Sequence, residues 1–303
     1  MKNKTALYGY FGYDNLGDEL ILEKALEIFP EAVVFTHKKK VEYKTLPRFS
    51  ILNLIFYKKL IFPGGNILQT KSSILSFYYY VILILLFKLK GGKVMLVNQG
   101  IGPVKGVVNN FMLKILLKTV DFISFRTNED FQKYSGECRN AILGADTVFL
   151  NVQRSEYQNK ALCGIIPKTR YINKNFYIPD KYDVIAISPE DYNFLKLNYS
   201  DFNIKKFYGL TFQQSINFLK NYSTIISMPL HGVILSYIAG VEKIFACVYD
   251  EKVLNFVKEA ENEINILDEK ILNEEKENIN IKINRCSKLE DFSTRAYNGY
   301  FLK

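Results

Sequence analysis

Short apolar runs of strand length alternate with helical runs along nearly the whole chain, and that alternation leaves few folds open. In the first half, strands are expected at 6–10, 32–35, 60–62, 94–97, 122–125 and 148–150. Helical segments at 19–29, 73–90, 107–118 and 129–134 lie between several of them. Strand, helix, strand at this spacing implies right-handed crossovers and a mostly parallel sheet covered on both faces. The strands are apolar throughout rather than alternating, as burial on two sides requires. Residues 151–160 (NVQRSEYQNK) are polar and follow neither period, so a domain boundary is expected there. The alternation restarts with strands at 162–166, 184–188, 224–227 and 244–249, and Thr211-Phe-Gln-Gln214 reads as a capping box opening a helix at 212–220. The charged, Asn-rich stretch 259–282 reads as solvated helix and loop, and 288–303 as a helix. The economical architecture is α/β: two Rossmann-like doubly wound domains, 1–155 and 156–303, facing a cleft. Ligands of such sheets bind beyond the carboxyl ends of the strands.

Composition narrows the partners. Among the 303 residues, 48% are apolar, enough for two cores and too many for a disordered chain. Forty Lys and Arg against 31 Asp and Glu leave a net charge of +9. That surplus favours phosphates, acidic glycans or a membrane surface; without a nucleic-acid signature or a tight basic block, nucleic acid is disfavoured. Four separated cysteines with no C-x-x-C pair, and two histidines, give no reason to expect a metal site. The first ten residues lack the apolar core of a signal peptide, so a cytoplasmic, reduced protein is expected. Residues 74–89 (ILSFYYYVILILLFKL) are apolar for most of their length but fall short of the roughly 20 residues of a spanning helix. They read as a helix buried within a domain; the alternative is peripheral contact with the inner face of the membrane.

Polar and Gly-rich segments stand just past the expected strands. Gly9-Tyr-Phe-Gly-Tyr-Asp-Asn-Leu-Gly-Asp-Glu19 opens the first helix, with Asp18 as a candidate cap, Glu19 favouring the dipole, and Tyr13, Asp14 and Asn15 suited to sugar hydroxyls. It is not G-x-G-x-x-G, so a dinucleotide site has little support. Pro63-Gly-Gly65-Asn66 and Asn98-Gln99-Gly-Ile-Gly-Pro103 follow two further strands and can line a ligand surface. Arg126 and Lys168 sit where strand-end cations face a cleft. Lys252 lies near a helix start, a position unfavourable to a cation unless an anion shares it. In Met228-Pro-Leu230-His231-Gly232 the histidine falls in the first turn of a helix, where backbone amides and the dipole make an anion site. A titratable imidazole beside an anion cradle is what acid-assisted transfer from a phosphorylated donor requires.

In this order the segments resemble the polysaccharide pyruvyl transferase family. The matching pieces are Gly9 to Glu19, Phe62-Pro-Gly-Gly-Asn66, Asn98 to Pro103, Ser124-Phe-Arg126, Ala145-Asp146, Met228-Pro-Leu-His231 and Tyr249-Asp-Glu-Lys-Val253. The resemblance implies a GT-B-like pair of domains, acceptor side first and donor side second. It also implies transfer of pyruvate from phosphoenolpyruvate to a sugar of a cell-surface or lipid-linked saccharide, giving a pyruvate ketal without a cofactor. His231 is then the acid, and Arg126, Lys168, Leu230, Gly232 and Lys252 hold the donor. Tyr13, Asp14, Asn15, Asp18, Gly65, Asn66 and Gln99 hold the acceptor. Pro229 stands where the family typically carries arginine before Leu-His, and Lys168 also replaces a typical arginine. Two alternatives therefore stay open: a GT-B glycosyltransferase using a nucleotide sugar, and a catalytically inactive glycan-binding relative.

Overall fold

A computed structural model describes residues 4–158, 160–172, 178, 181–247, 251–260 and 265–267. The described chain divides into two units. One holds the residues up to Tyr13 and Asp18–Asn151; the other holds Asp14–Gly17 and the chain from Val152.

The first unit runs β1 (Thr5–Tyr8), α1 (Leu16–Ile28), β2 (Val33–Thr36), β3 (Thr45–Pro47), β4 (Lys59–Phe62), β5 (Gly65–Leu68), α2 (Ile74–Leu89), β6 (Lys93–Ile101), α3 (Val107–Thr119), β7 (Phe122–Phe125), α4 (Asn128–Tyr134) and β8 (Ala141–Leu143). Its parallel sheet has the order β3-β2-β1-β4-β6-β7-β8, with β5 beside β6. The apolar strands are buried as two-sided coverage demands: Ala6, Leu7, Leu60, Ile61, Val94 and Met95 are wholly enclosed. Ser73 caps α2 by accepting from Ser76 N, and Thr127 caps α4 by accepting from Asp130 N. Phe77, Tyr80, Val81, Ile84 and Phe87 of α2 pack into the core with Leu60, Phe62 and Leu96.

The second unit runs β9 (Leu162–Ile166), β10 (Tyr182–Ala186), α5 (Pro189–Asn198), β11 (Ile204–Lys206), α6 (Phe212–Leu219), β12 (Tyr222–Ser227), α7 (Leu230–Ile238), β13 (Lys243–Cys247), α8 (Glu251–Glu259) and β14 (Asn265–Leu267). Its order, β11-β10-β9-β12-β13-β14, is parallel throughout and reverses direction between β9 and β12. The capping box is present, Thr211 Oγ1 and Gln214 Oε1 each accepting from the other's backbone N–H.

Several expectations need correction. Residues 148–150 are not a strand; Asp146 accepts from Val148 N and starts a buried 3-10 turn, Thr147–Phe149. Asp18 is no cap, because α1 begins at Leu16 and places it inside the first turn. The strand β14 lies within the stretch expected to be helix and loop, paired in parallel with β13. The remainder of 261–282 and the expected helix at 288–303 fall outside the described residues. The segment Ile74–Leu89 is one helix, but its enclosure is one-sided: Leu75, Ile82, Leu86 and Leu89 face outward. Among the described residues, no helix is long and apolar enough to cross a membrane.

Candidate active site

In a doubly wound sheet the two chains leaving the reversal point run to opposite faces and open a crevice between them. In the first unit this point lies between β1 and β4, and the loops leaving those strands are Gly9–Asn15 and Pro63–Gly64. Gly12 adopts φ +81°, and its N–H donates to Glu19 Oε1 at 2.6 Å, while Lys40 Nζ holds the other carboxylate oxygen at 2.9 Å. Gly65, at φ +94°, brings the backbone past Asp18, whose Oδ1 would lie 3.8 Å from a Cβ added there. Gly65 also pairs in register with Gln99 across β5 and β6.

Asn66 in β5, Gln99 in β6 and Arg126 just past β7 carry buried polar atoms that nothing among the described residues satisfies. Gln99 Nε2 donates to the carbonyls of Phe62 and Val97, which fixes the amide's orientation and leaves Oε1 enclosed without a donor. Asn66 Nδ2 donates to Gly102 O at 2.8 Å, and its Oδ1 is likewise without one. Arg126 follows β7, its backbone N–H bonded to Gln99 O at 2.9 Å. Its Nη1 meets Asp146 Oδ2 at 3.2 Å with both side chains buried, while Nε has no partner. The guanidinium passes so close to β6 that a Cβ on Gly100 would lie 2.6 Å from Nη2. Buried polar groups normally find partners. Two acceptors and one charged donor here fit a ligand bearing both hydroxyls and an anionic oxygen.

A second polar feature of this unit escaped the sequence reading. Arg48, 6% exposed, donates to Gly9 O at 2.9 Å and to the Tyr80 hydroxyl at 2.6 Å. Its guanidinium carbon lies 5.2 Å and 5.6 Å from the ring centres of Tyr10 and Tyr13. Tyr13 stacks between Tyr10 and His37, at 4.1 Å and 4.5 Å. Burial pushes the Tyr80 phenol up to about 12, so it accepts from Arg48 as a neutral hydroxyl. The one available signal was a cation directly after a strand, and β3 is too short to be recognised as one.

In the second unit the reversal point lies between β9 and β12, whose last residues Ile166 and Ser227 are register partners. Lys168 follows β9, His231 follows β12 and Lys252 follows β13, so three neighbouring strand ends carry the expected polar residues. Pro229 is the N-cap of α7, one place earlier than the helical first position, and Leu230, His231 and Gly232 form its first turn. Gly232 is dictated by packing, since a Cβ there would lie 2.3 Å from Ser227 Oγ. Asp14–Gly17 belong with this unit: Leu16 N donates to Ile187 O at 3.3 Å, and a Cβ on Gly17 would lie 2.0 Å from His231 Nδ1. Glycine at 17 is what lets the imidazole sit against the backbone. Asp14, at φ +58°, and Asn15 lead into that contact. Lys252 occupies the first turn of α8.

Lys168 is not a bare cation. Its Nζ lies 2.9 Å from Asp191 Oδ2, and Asp191 is buried. The same carboxylate accepts from Ser188 Oγ at 2.6 Å and Thr169 Oγ1 at 2.7 Å. Burial alone would raise the Asp191 pKa, but Lys168 and these hydroxyls outweigh it and hold the carboxyl below its usual range. Stability from this ionisation is therefore fully present above the unfolded value of about 3.9 and is lost as pH falls through the lower native value. Urea denaturation of wild type and Asp191→Asn should show a stability difference near neutrality that narrows in acid; a difference independent of pH would contradict the charge-based account.

Among the described residues, no group of three or more His, Cys, Asp or Glu is arranged to hold a metal ion. Comparison with solved structures finds a candidate UDP-N-acetylglucosamine 2-epimerase from Listeria monocytogenes at 10% identity and TM-score 0.55, covering 98% of this chain and 91% of that one. This is a likeness of fold. An uncharacterised protein from Klebsiella pneumoniae (14% identity, 85% and 88% covered, TM-score 0.46) and the wall teichoic acid polymerase TagF (9%, 100% and 84%, 0.49) also align. No curated protein sequence matches. The family model for polysaccharide pyruvyl transferase matches residues 15–250, spanning both units and the strand ends that carry Arg126, Lys168 and His231. The chain belongs to the polysaccharide pyruvyl transferase family.

Proposed function

We propose that this protein transfers pyruvate from phosphoenolpyruvate to two hydroxyls of a sugar in a cell-surface polysaccharide or its lipid-linked precursor, in the cytoplasm. The observation that carries the reading is His231 in the first turn of α7, beside the strand reversal of the second sheet, in a chain of this family. His231 gives a proton to the methylene carbon of the donor, which becomes a methyl group. The adjacent carbon, now electron-poor, takes one sugar hydroxyl and then the second, as the bond to the phosphate oxygen breaks. The hydroxyl protons leave with phosphate or solvent, and the ketal retains its carboxylate. Arg126 and Lys168 bind the donor's anionic groups, with the first-turn amides of Leu230 and Gly232 and with Lys252 as further donor contacts. Tyr13, Asp14, Asn15, Asp18, Gly65, Asn66 and Gln99 receive the acceptor.

Thermal shift with phosphoenolpyruvate tests the reading, because a ligand that binds only the folded state stabilises it by about 2.7 kcal/mol at 100 times its dissociation constant. Nucleotide sugars should give no shift. Pro229→Arg should tighten phosphoenolpyruvate binding by about 1.5–3 kcal/mol, the range for a hydrogen bond to a charged group. Stabilisation by a nucleotide sugar alone would replace the reading with glycosyl transfer. Failure of wild type and Pro229→Arg alike to bind phosphoenolpyruvate at millimolar concentration would end it.

A further inference from the structure

The first unit carries an apolar surface where the 3-10 turn Ile51–Phe56 packs on α2. Leu52, Ile55 and Phe56 of the turn are 84%, 65% and 64% exposed, and Leu89 of α2 is 83% exposed. Ile82 and Leu86 continue the outward stripe of α2 at helical spacing. Lys90 ties the two elements together, its Nζ donating to the carbonyls of Leu54 at 2.5 Å and Ile55 at 3.3 Å and to that of Tyr57. Beside this surface the backbone links three exposed lysines in a row: Lys58 N donates to Lys4 O at 3.0 Å and Lys93 N to Lys58 O at 2.9 Å. Asp121, bonded to Val94 N at the same strand start, is already neutralised by Lys88 at 2.7 Å.

We infer that this surface docks the protein on a bilayer containing anionic lipids. Large exposed apolar side chains in one place mark an interaction surface. A rim of lysines beside exposed apolar side chains matches anionic headgroups above acyl chains. A symmetric contact with a second copy would instead set these lysines against their own counterparts. The surface lies at the amino ends of β4 and β6, so docking there leaves the carboxyl ends of the sheet uncovered. This inference does not rest on pyruvyl transfer, and its test involves no donor.

The full-length protein should co-sediment with vesicles of phosphatidylcholine and phosphatidylglycerol, bind vesicles of phosphatidylcholine alone weakly, and be released by raised salt. Phe56→Ser with Leu89→Ser, and separately Lys58→Glu with Lys93→Glu, should each lower partitioning by roughly tenfold or more. All four side chains are exposed, so both pairs should melt like wild type. Absence of sedimentation, or binding indifferent to lipid charge and to both pairs, would overturn the inference. So would light scattering that shows a dimer dissolved by Phe56→Ser, which would assign the surface to a second copy.

Discussion

His231→Ala is expected to lower the rate of pyruvyl transfer by about 10²–10⁴-fold, the range for losing a positioned general acid, while phosphoenolpyruvate still binds. Donor affinity should persist because the proposed donor contacts are cations and first-turn amides rather than the imidazole. Gly17→Ala is the companion measurement. The added Cβ would lie 2.0 Å from Nδ1, so the ring must swing away, whereas the half-buried side chain can move without opening a core. A displacement of about 1 Å costs on the order of 10²-fold in rate. Gly17→Ala should therefore depress turnover while leaving the thermal midpoint nearly unchanged. A loss below tenfold in His231→Ala would remove the histidine from the chemistry, and a fully active Gly17→Ala would show that its position is not critical.

Arg126→Met should destabilise the fold, by up to about 3–5 kcal/mol, because it removes the ion-pair partner of a buried carboxylate. Asp146 is 3% exposed, and its other oxygen accepts from Val148 N, so it cannot turn out to water without undoing the 3-10 turn. Combining Arg126→Met with Asp146→Asn should restore most of the stability, since both charges of the buried pair are then removed together. It should not restore phosphoenolpyruvate affinity if the guanidinium holds the donor. Urea midpoints and donor titrations on the three variants separate the two roles. Recovery of affinity in the double variant would show that Arg126 acts only through the fold.

The contrast between these residues shows where local reading stops. His231 was legible because its setting is local: an apolar strand, a turn, and a helix whose first turn it must occupy. Arg48 was not, since β3 is a three-residue strand with a single large apolar side chain, Leu46, and its cage joins Gly9 to Tyr80. The run at 148–150 misled because three apolar residues satisfy strand and buried turn alike, and the deciding bond comes from Asp146.

Sequence alone determined the α/β class, the strands at the centre of each sheet, the capping box at Thr211 and the family motifs in order. All of these follow from periodicity, capping and turn chemistry acting over a few residues. Tertiary structure decided which strands are neighbours, and hence that Lys168, His231 and Lys252 share one end of one sheet. It also decided that Lys168 and Arg126 have buried carboxylate partners, that Asn66 and Gln99 hold unsatisfied acceptors, and that α2 keeps one apolar face outside. Those outcomes join residues far apart in the chain, and only the packing of the whole sheet selects among the pairings that each local stretch permits.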